Sequence, residues 1–201
     1  MITIIQKFII LVMAIPFLVG CLGIQDDYKY VPSNINNNVN MTAWGYINSR
    51  QDVFSSLKQA ILYCGIDTTL YQQTSKKYTY LLLDNLAFTG SSSVLANANV
   101  TSITSMDKQT LKNVLLYHIV DGYYTGLETL NFNPIFVITL WKSPLAVMTL
   151  ELSNKPSSSY YSRLVINDMA GNSTSFLAST SNILTTNGVV AVLDRPAVYV
   201  P

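Results

Sequence analysis

The chain has 201 residues, enough for one substantial hydrophobic core and short for two. Hydrophobic residues make up 49% of it and charged residues 11%, a balance that excludes a chain disordered throughout. Lys plus Arg (12) nearly cancel Asp plus Glu (11), and the net charge of +1 excludes the field that draws nucleic acid to a protein surface.

The N-terminus reads as a targeting segment. Lys7 is followed by an unbroken apolar stretch from Phe8 to Val19 and then Gly20. That length suits the core of a cleavable signal and is short for a membrane-spanning helix. Leu18-Val19-Gly20-Cys21 resembles the lipobox of bacterial lipoproteins, in which a diacylglycerol is joined to the Cys sulfur and the chain is cut just before it. The resemblance implies a signal peptide over residues 1–20, a lipid on Cys21, and an exported protein held in the bacterial envelope. The expected location is the outer membrane, with the cell surface as one face of it. Residues 21–45 are polar and rich in Asn, and read as the lipidated Cys and a flexible tether reaching roughly 25–30 Å. Gln25-Asp26-Asp27 resembles the acidic surface-export signals of Bacteroidetes lipoproteins; ordinary tether polarity explains it equally well. With Cys21 lipidated, Cys64 has no partner for an intramolecular disulfide.

From Tyr46 the pattern tightens into a folded domain, residues 46–201. Ser49 is the expected cap of a helix whose stripe runs Val53, Phe54, Leu57, Ala60, Ile61 and Cys64, with Gly65 as its stop. Cys64 lies on that stripe and is expected in the core rather than as a reactive thiol. Asp67 is expected to cap a second short helix through Tyr71. Asp67-Thr68-Thr69 also resembles a Bacteroidetes O-glycosylation acceptor, but capping is the simpler reading. Tyr78 to Leu83 reads as a buried strand, and Ser91 to Ser105 as a stretch of weak order. Asp107 to Ile119 returns to helical spacing, with Leu111, Val114, Leu115, His118 and Ile119 on one face. Strands are expected at Phe136–Trp141 and Leu145–Leu152 around a turn at Lys142-Ser143-Pro144, and again at Arg163–Asn167 and Val189–Leu193. Helices come early and strands late, the order of an α+β domain.

Three stretches resemble the fasciclin domain in order and spacing. Tyr78–Phe88 is similar to its first signature: Asn85, Ala87 and Phe88 fit, while Leu83 and Asp84 stand where Pro and Thr are usual. Leu115–Thr125 resembles the Tyr-His motif, through Tyr117 and His118, and the turn that follows it. Thr186–Asp194 is similar to the closing signature, with an Asn187-Gly188 turn and a last apolar strand ending at Asp194. The resemblance implies an α+β fold in which a twisted β-wedge packs against a layer of short helices, an extracellular setting, and adhesion rather than catalysis. It also implies that His118 braces the loop after the first signature, through Asn85 or Asp84.

Catalytic constellations are sparse. His118 is the only His, too few ligands accompany it or Cys64 for zinc, and no nucleophile elbow, phosphate loop or dinucleotide fingerprint occurs. No cofactor is expected. Tyr123-Tyr124 and Tyr160-Tyr161 are candidate contacts for a protein or a glycan, although amphipathic packing explains such pairs as well. The sequence therefore points to a non-catalytic interaction module, anchored in the membrane by the lipid on Cys21, whose partner is a surface protein or glycan that the sequence does not name. An envelope glycan-binding lipoprotein is the alternative, and a hydrolase with carboxylates assembled in the fold a distant one.

Overall fold

The computed structural model describes residues 37–143, 146–154, 163–169 and 175–198. The signal segment, Cys21, Pro144, Leu145 and the Tyr160-Tyr161 pair lie outside the described residues.

Two four-stranded sheets carry the fold. Strand β1 (Tyr78–Leu83) is buried along its whole length and sits between β2 (Ile119–Val120, antiparallel) and β8 (Gly188–Leu193, parallel), with β7 (Thr180–Thr185) beyond. Largely apolar runs such as Tyr-Thr-Tyr-Leu-Leu-Leu, with the Thr79 hydroxyl bonded, and Gly-Val-Val-Ala-Val-Leu are what a central strand covered on both faces requires. The second sheet is antiparallel throughout, in the order β3 (Ile135–Val137), β4 (Met148–Leu152), β5 (Leu164–Ile166), β6 (Phe176–Leu177). Residues 135–140 join the two. Their first half pairs with β4, and their second half turns to β2, where Asp121 N donates to Ile138 O (2.7 Å) and Leu140 N to Ile119 O (2.8 Å). This segment links the edge of one sheet to the edge of the other.

Helices α1 (Ala43–Ser49), α2 (Gln51–Cys64) and α5 (Lys108–Tyr117) are joined by shorter turns, α3 (Leu86–Thr89), α4 (Val94–Asn97) and α6 (Gly126–Thr129). The stripe expected for α2 is its buried face: Phe54, Leu57, Ala60, Ile61 and Cys64 enter the core, and Gly65, at φ 69°, closes the helix. Asp67 caps a 3-10 turn over Thr68–Tyr71 by accepting from Thr69 N (2.9 Å).

Four expectations are corrected. Residues 38–45, assigned above to the tether, belong to the folded body: Val39 N donates to Leu184 O (2.9 Å), and α1 begins at Ala43 under a Thr42 cap. Ser49 is the last residue of α1 rather than a cap, and its hydroxyl donates back to Tyr46 O (2.9 Å). The helix expected through Ile119 stops at Tyr117. His118 is its C-cap and Ile119 opens β2, because one apolar run serves both the helix face and the strand that follows. The stretch Ser91–Ser105 is ordered by Ser93, which caps α4, and by burial of Val94 and Ile103.

Candidate functional site: the Tyr117–His118 region and its groove

His118 follows the last turn of α5 and is 3% exposed. Its Nδ1 lies 2.7 Å from Val114 O, and its Nε2 accepts from Ala197 N at 2.8 Å. A carbonyl can only accept and an amide N–H can only donate, so this pair of bonds selects the neutral ring with its proton on Nδ1. Burial pulls the His118 pKa down to about 4, with the Val114 carbonyl opposing the shift. A neutral imidazole with both nitrogens bonded to backbone has no lone pair left for general-base work. The expected partners are corrected here: His118 binds the segment after β8, and neither Asn85 nor Asp84 touches it through its ring nitrogens.

Tyr117 works beside it. Its hydroxyl donates to Val147 O (2.7 Å) and accepts from Asn167 Nδ2 (3.2 Å), and the same Asn167 amide donates to Val198 O (2.9 Å). The two residues of the motif thus tie the end of α5 to the second sheet and to the segment 196–198.

Asn85 holds a different joint. Phe54 interrupts α2 with φ −118° and ψ 17°, which frees backbone groups that a regular helix would pair. Asn85 takes them up. Its Oδ1 accepts from Ser56 N (3.0 Å), its Nδ2 donates to Asp52 O (3.0 Å), and its own backbone N–H donates to Val53 O (2.9 Å). Asp84, which replaces the usual Thr, accepts from Ala87 N (3.0 Å) and so caps α3; burial raises its pKa.

Asn187 is fully buried and makes bonds on both sides of its amide. Oδ1 accepts from Ala43 N (2.8 Å) and Thr185 Oγ1 (3.2 Å); Nδ2 donates to Tyr71 O and Tyr80 Oη, both at 2.9 Å. Gly188 is required by approach rather than by turn geometry: a Cβ there would stand 2.1 Å from Tyr78 O in the paired strand. Asp194 pairs with Arg195 at 3.1 Å on the surface.

Among the aromatic candidates, Tyr124 is half-buried and packs on the core, and its backbone N–H donates to Thr79 Oγ1 (2.9 Å). Tyr123 lies under the Lys77 ammonium, 4.9 Å from the ring centre.

Two features escape sequence reasoning. The first is an apolar ledge at the edge of the second sheet, where Phe136 on β3 and Ile138 just past it are each 73% exposed and Val147, just before β4, is 37% exposed. The i, i+2 spacing of Phe136 and Ile138 could have signalled one strand face, but not that the face stays uncovered. The second is a groove of about 330 Å³ between α4, α5 and the segment 196–198, with Trp141 in its wall. The Trp141 and Tyr117 rings meet edge to face, centres 6.0 Å apart.

Among the described residues two carboxyls interact beside β4. Glu151, 8% exposed on β4, hydrogen-bonds to Asp168, and burial together with that neighbouring carboxyl pushes its pKa up to about 7. Among the described residues no group of His, Cys, Asp and Glu gathers for a metal, and no helix is long and apolar enough to cross a membrane.

A family model for the fasciclin domain matches residues 52–198. Among solved structures, a FAS1 domain pair from the insect cell adhesion molecule fasciclin I superposes with a TM-score of 0.57 at 13% identity. The match covers 79% of this chain and 51% of that one, so the chain spans about half the length of that structure. At this identity the likeness is one of fold. No curated protein matches the chain.

Proposed function

The chain belongs to the fasciclin domain family, and on that premise we propose that it is a non-catalytic adhesion module, held in the bacterial envelope by a lipid on Cys21. Fasciclin domains are adhesion-related and typically extracellular, and the solved relative is itself a cell adhesion molecule. The observation that carries the reading is a division of labour. His118 and Asn187 are buried and bonded internally, whereas Phe136, Ile138 and Val147 lie open at the edge of the second sheet. Exposed apolar side chains grouped on one face are the usual mark of a protein contact.

The anchor reading rests on the apolar stretch before Cys21 and the lipobox-like run that ends there. Cys21→Ser should abolish labelling by a fatty-acid analogue and release the protein from the membrane fraction; labelling that persists removes the lipoprotein reading. The partner is a surface protein in this proposal and an envelope glycan, met by Tyr123-Tyr124 or Tyr160-Tyr161, in the alternative. Capture from native envelopes separates them. The Phe136→Ser/Ile138→Ser double variant should lose a protein that the wild type retains, with competing polysaccharide having no effect. Competition by polysaccharide with the ledge variant unimpaired would establish the glycan reading instead.

A further inference from the structure

The groove beside Trp141 has the build of a ligand site. Its floor is made of buried apolar side chains, Val94, Met106 and Ala197 among them, and the half-buried Trp141 indole supplies a ring wall. Its mouth is polar: Asn97 and Thr110 are exposed there and Asn113 is half-buried. The Asn97 amide has no hydrogen-bond partner among the described residues. The Asn113 carbonyl oxygen accepts from Gln109 Nε2 (2.8 Å), and its NH₂ group meets no acceptor among the described residues. Of the described lining residues, the one ionisable group is the Tyr117 phenol, already committed to Val147 O. A volume of about 330 Å³ falls at the lower end of the range of small-molecule pockets, roughly 300–1,000 Å³.

We propose that this groove binds a neutral small molecule built on an aromatic or alicyclic ring, its ring against Trp141 and a single hydrogen-bonding group toward Asn97 and Asn113. An ion entering here would shed its hydration without meeting a countercharge, which disfavours charged ligands. A ring fits the flat indole wall, and the apolar floor takes up its edge. The proposal also gives the Tyr-His motif a consequence beyond stability. His118 Nε2 holds Ala197, and Asn167, itself bonded to Tyr117, holds Val198, so the motif sets the position of one wall.

The test uses N-phenyl-1-naphthylamine, a neutral, ring-built probe with one N–H, titrated into the full chain carrying Trp44→Phe. The chain has two Trp, so Trp141 is then the sole indole and its emission reports occupancy by energy transfer to the probe. Saturable one-to-one quenching is expected. Ala98→Phe and Thr110→Phe each place a ring in the groove from a partly or fully exposed position, and each should weaken binding at least tenfold with the melting temperature unchanged. The anionic analogue 8-anilino-1-naphthalenesulfonate should bind at least tenfold more weakly than the neutral probe. Quenching that does not saturate, that survives both filling variants, or that is as strong with the anion would overturn the proposal.

Discussion

The two sheets of this protein are built on opposite principles. The first, β2-β1-β8-β7, is pinned by buried polar residues whose bonding is complete: Asn187 ties four partners together, and His118 locks the segment after β8. The second, β3-β4-β5-β6, has short strands, leaves Phe136 and the flanking Ile138 in the open at its edge, and holds the Glu151–Asp168 contact. Satisfied buried polar groups specify one arrangement, because any shift strands a donor or an acceptor at about 1–3 kcal/mol each. Open apolar residues contribute little to the fold and are free to serve a partner. Asn187 and Gly188 support the first sheet, while Asn85, Tyr117 and His118 tie helices α2 and α5 to their neighbours, so these residues are spent on the fold.

The largest test of this contrast is at the parallel pair. Gly188→Ala forces a Cβ into Tyr78 O and should cost about 4 kcal/mol or more, enough to unfold a domain of ordinary stability. Asn187→Ala, which strands Ala43 N, Tyr71 O and Tyr80 Oη, should cost about 3 kcal/mol. Denaturant melts measure both, and near-wild-type midpoints would remove the claim that the first sheet is the rigid one.

His118→Ala should cost about 2–3 kcal/mol by stranding Ala197 N and Val114 O, and His118→Gln less. Its pKa supplies a second readout. The folded value near 4 lies below the unfolded value of 6.5, so between them the unfolded chain binds more protons. The His118 contribution, at most about 3 kcal/mol, is therefore present above pH 6.5 and lost as pH falls toward 4. His118→Gln should abolish that slope.

Glu151 gives the opposite sign. Its folded pKa near 7 lies above the ordinary 4.5, so the folded state binds the extra proton, and stability falls as pH rises from 4.5 to 7. Glu151→Gln should remove this decline and raise stability at pH 8 by about 1 kcal/mol. A variant that melts like wild type at pH 5 and at pH 8 alike would show that the pair carries no such charge.

The smallest effect is expected on the ledge. Phe136→Ser/Ile138→Ser should change stability by no more than about 0.5 kcal/mol per site, since both side chains are already in solvent. A loss of several kcal/mol would mean that the second sheet depends on them, and the contrast between the sheets would fail.

Amino-acid order alone settled much of this protein: the stripe of α2 with Cys64 on it, the Gly65 stop, the buried strands at Tyr78–Leu83 and Val189–Leu193, and membership of the fasciclin family. These are local patterns, written in the 3.6- and 2-residue periods and in turn chemistry. The polar strand β7 was missed because Thr-Ser-Asn-Ile-Leu-Thr lacks a clean apolar alternation, and its pairing with β8 comes from the fold. The partners of His118 were equally hidden. Ala197 N lies 79 residues away, and an imidazole can be satisfied by any backbone group that packing brings within reach. The ledge, the groove and the Glu151–Asp168 contact belong to the same class. Each depends on which strand face another element covers, and exposure is a property of the assembled layers that no local spacing records.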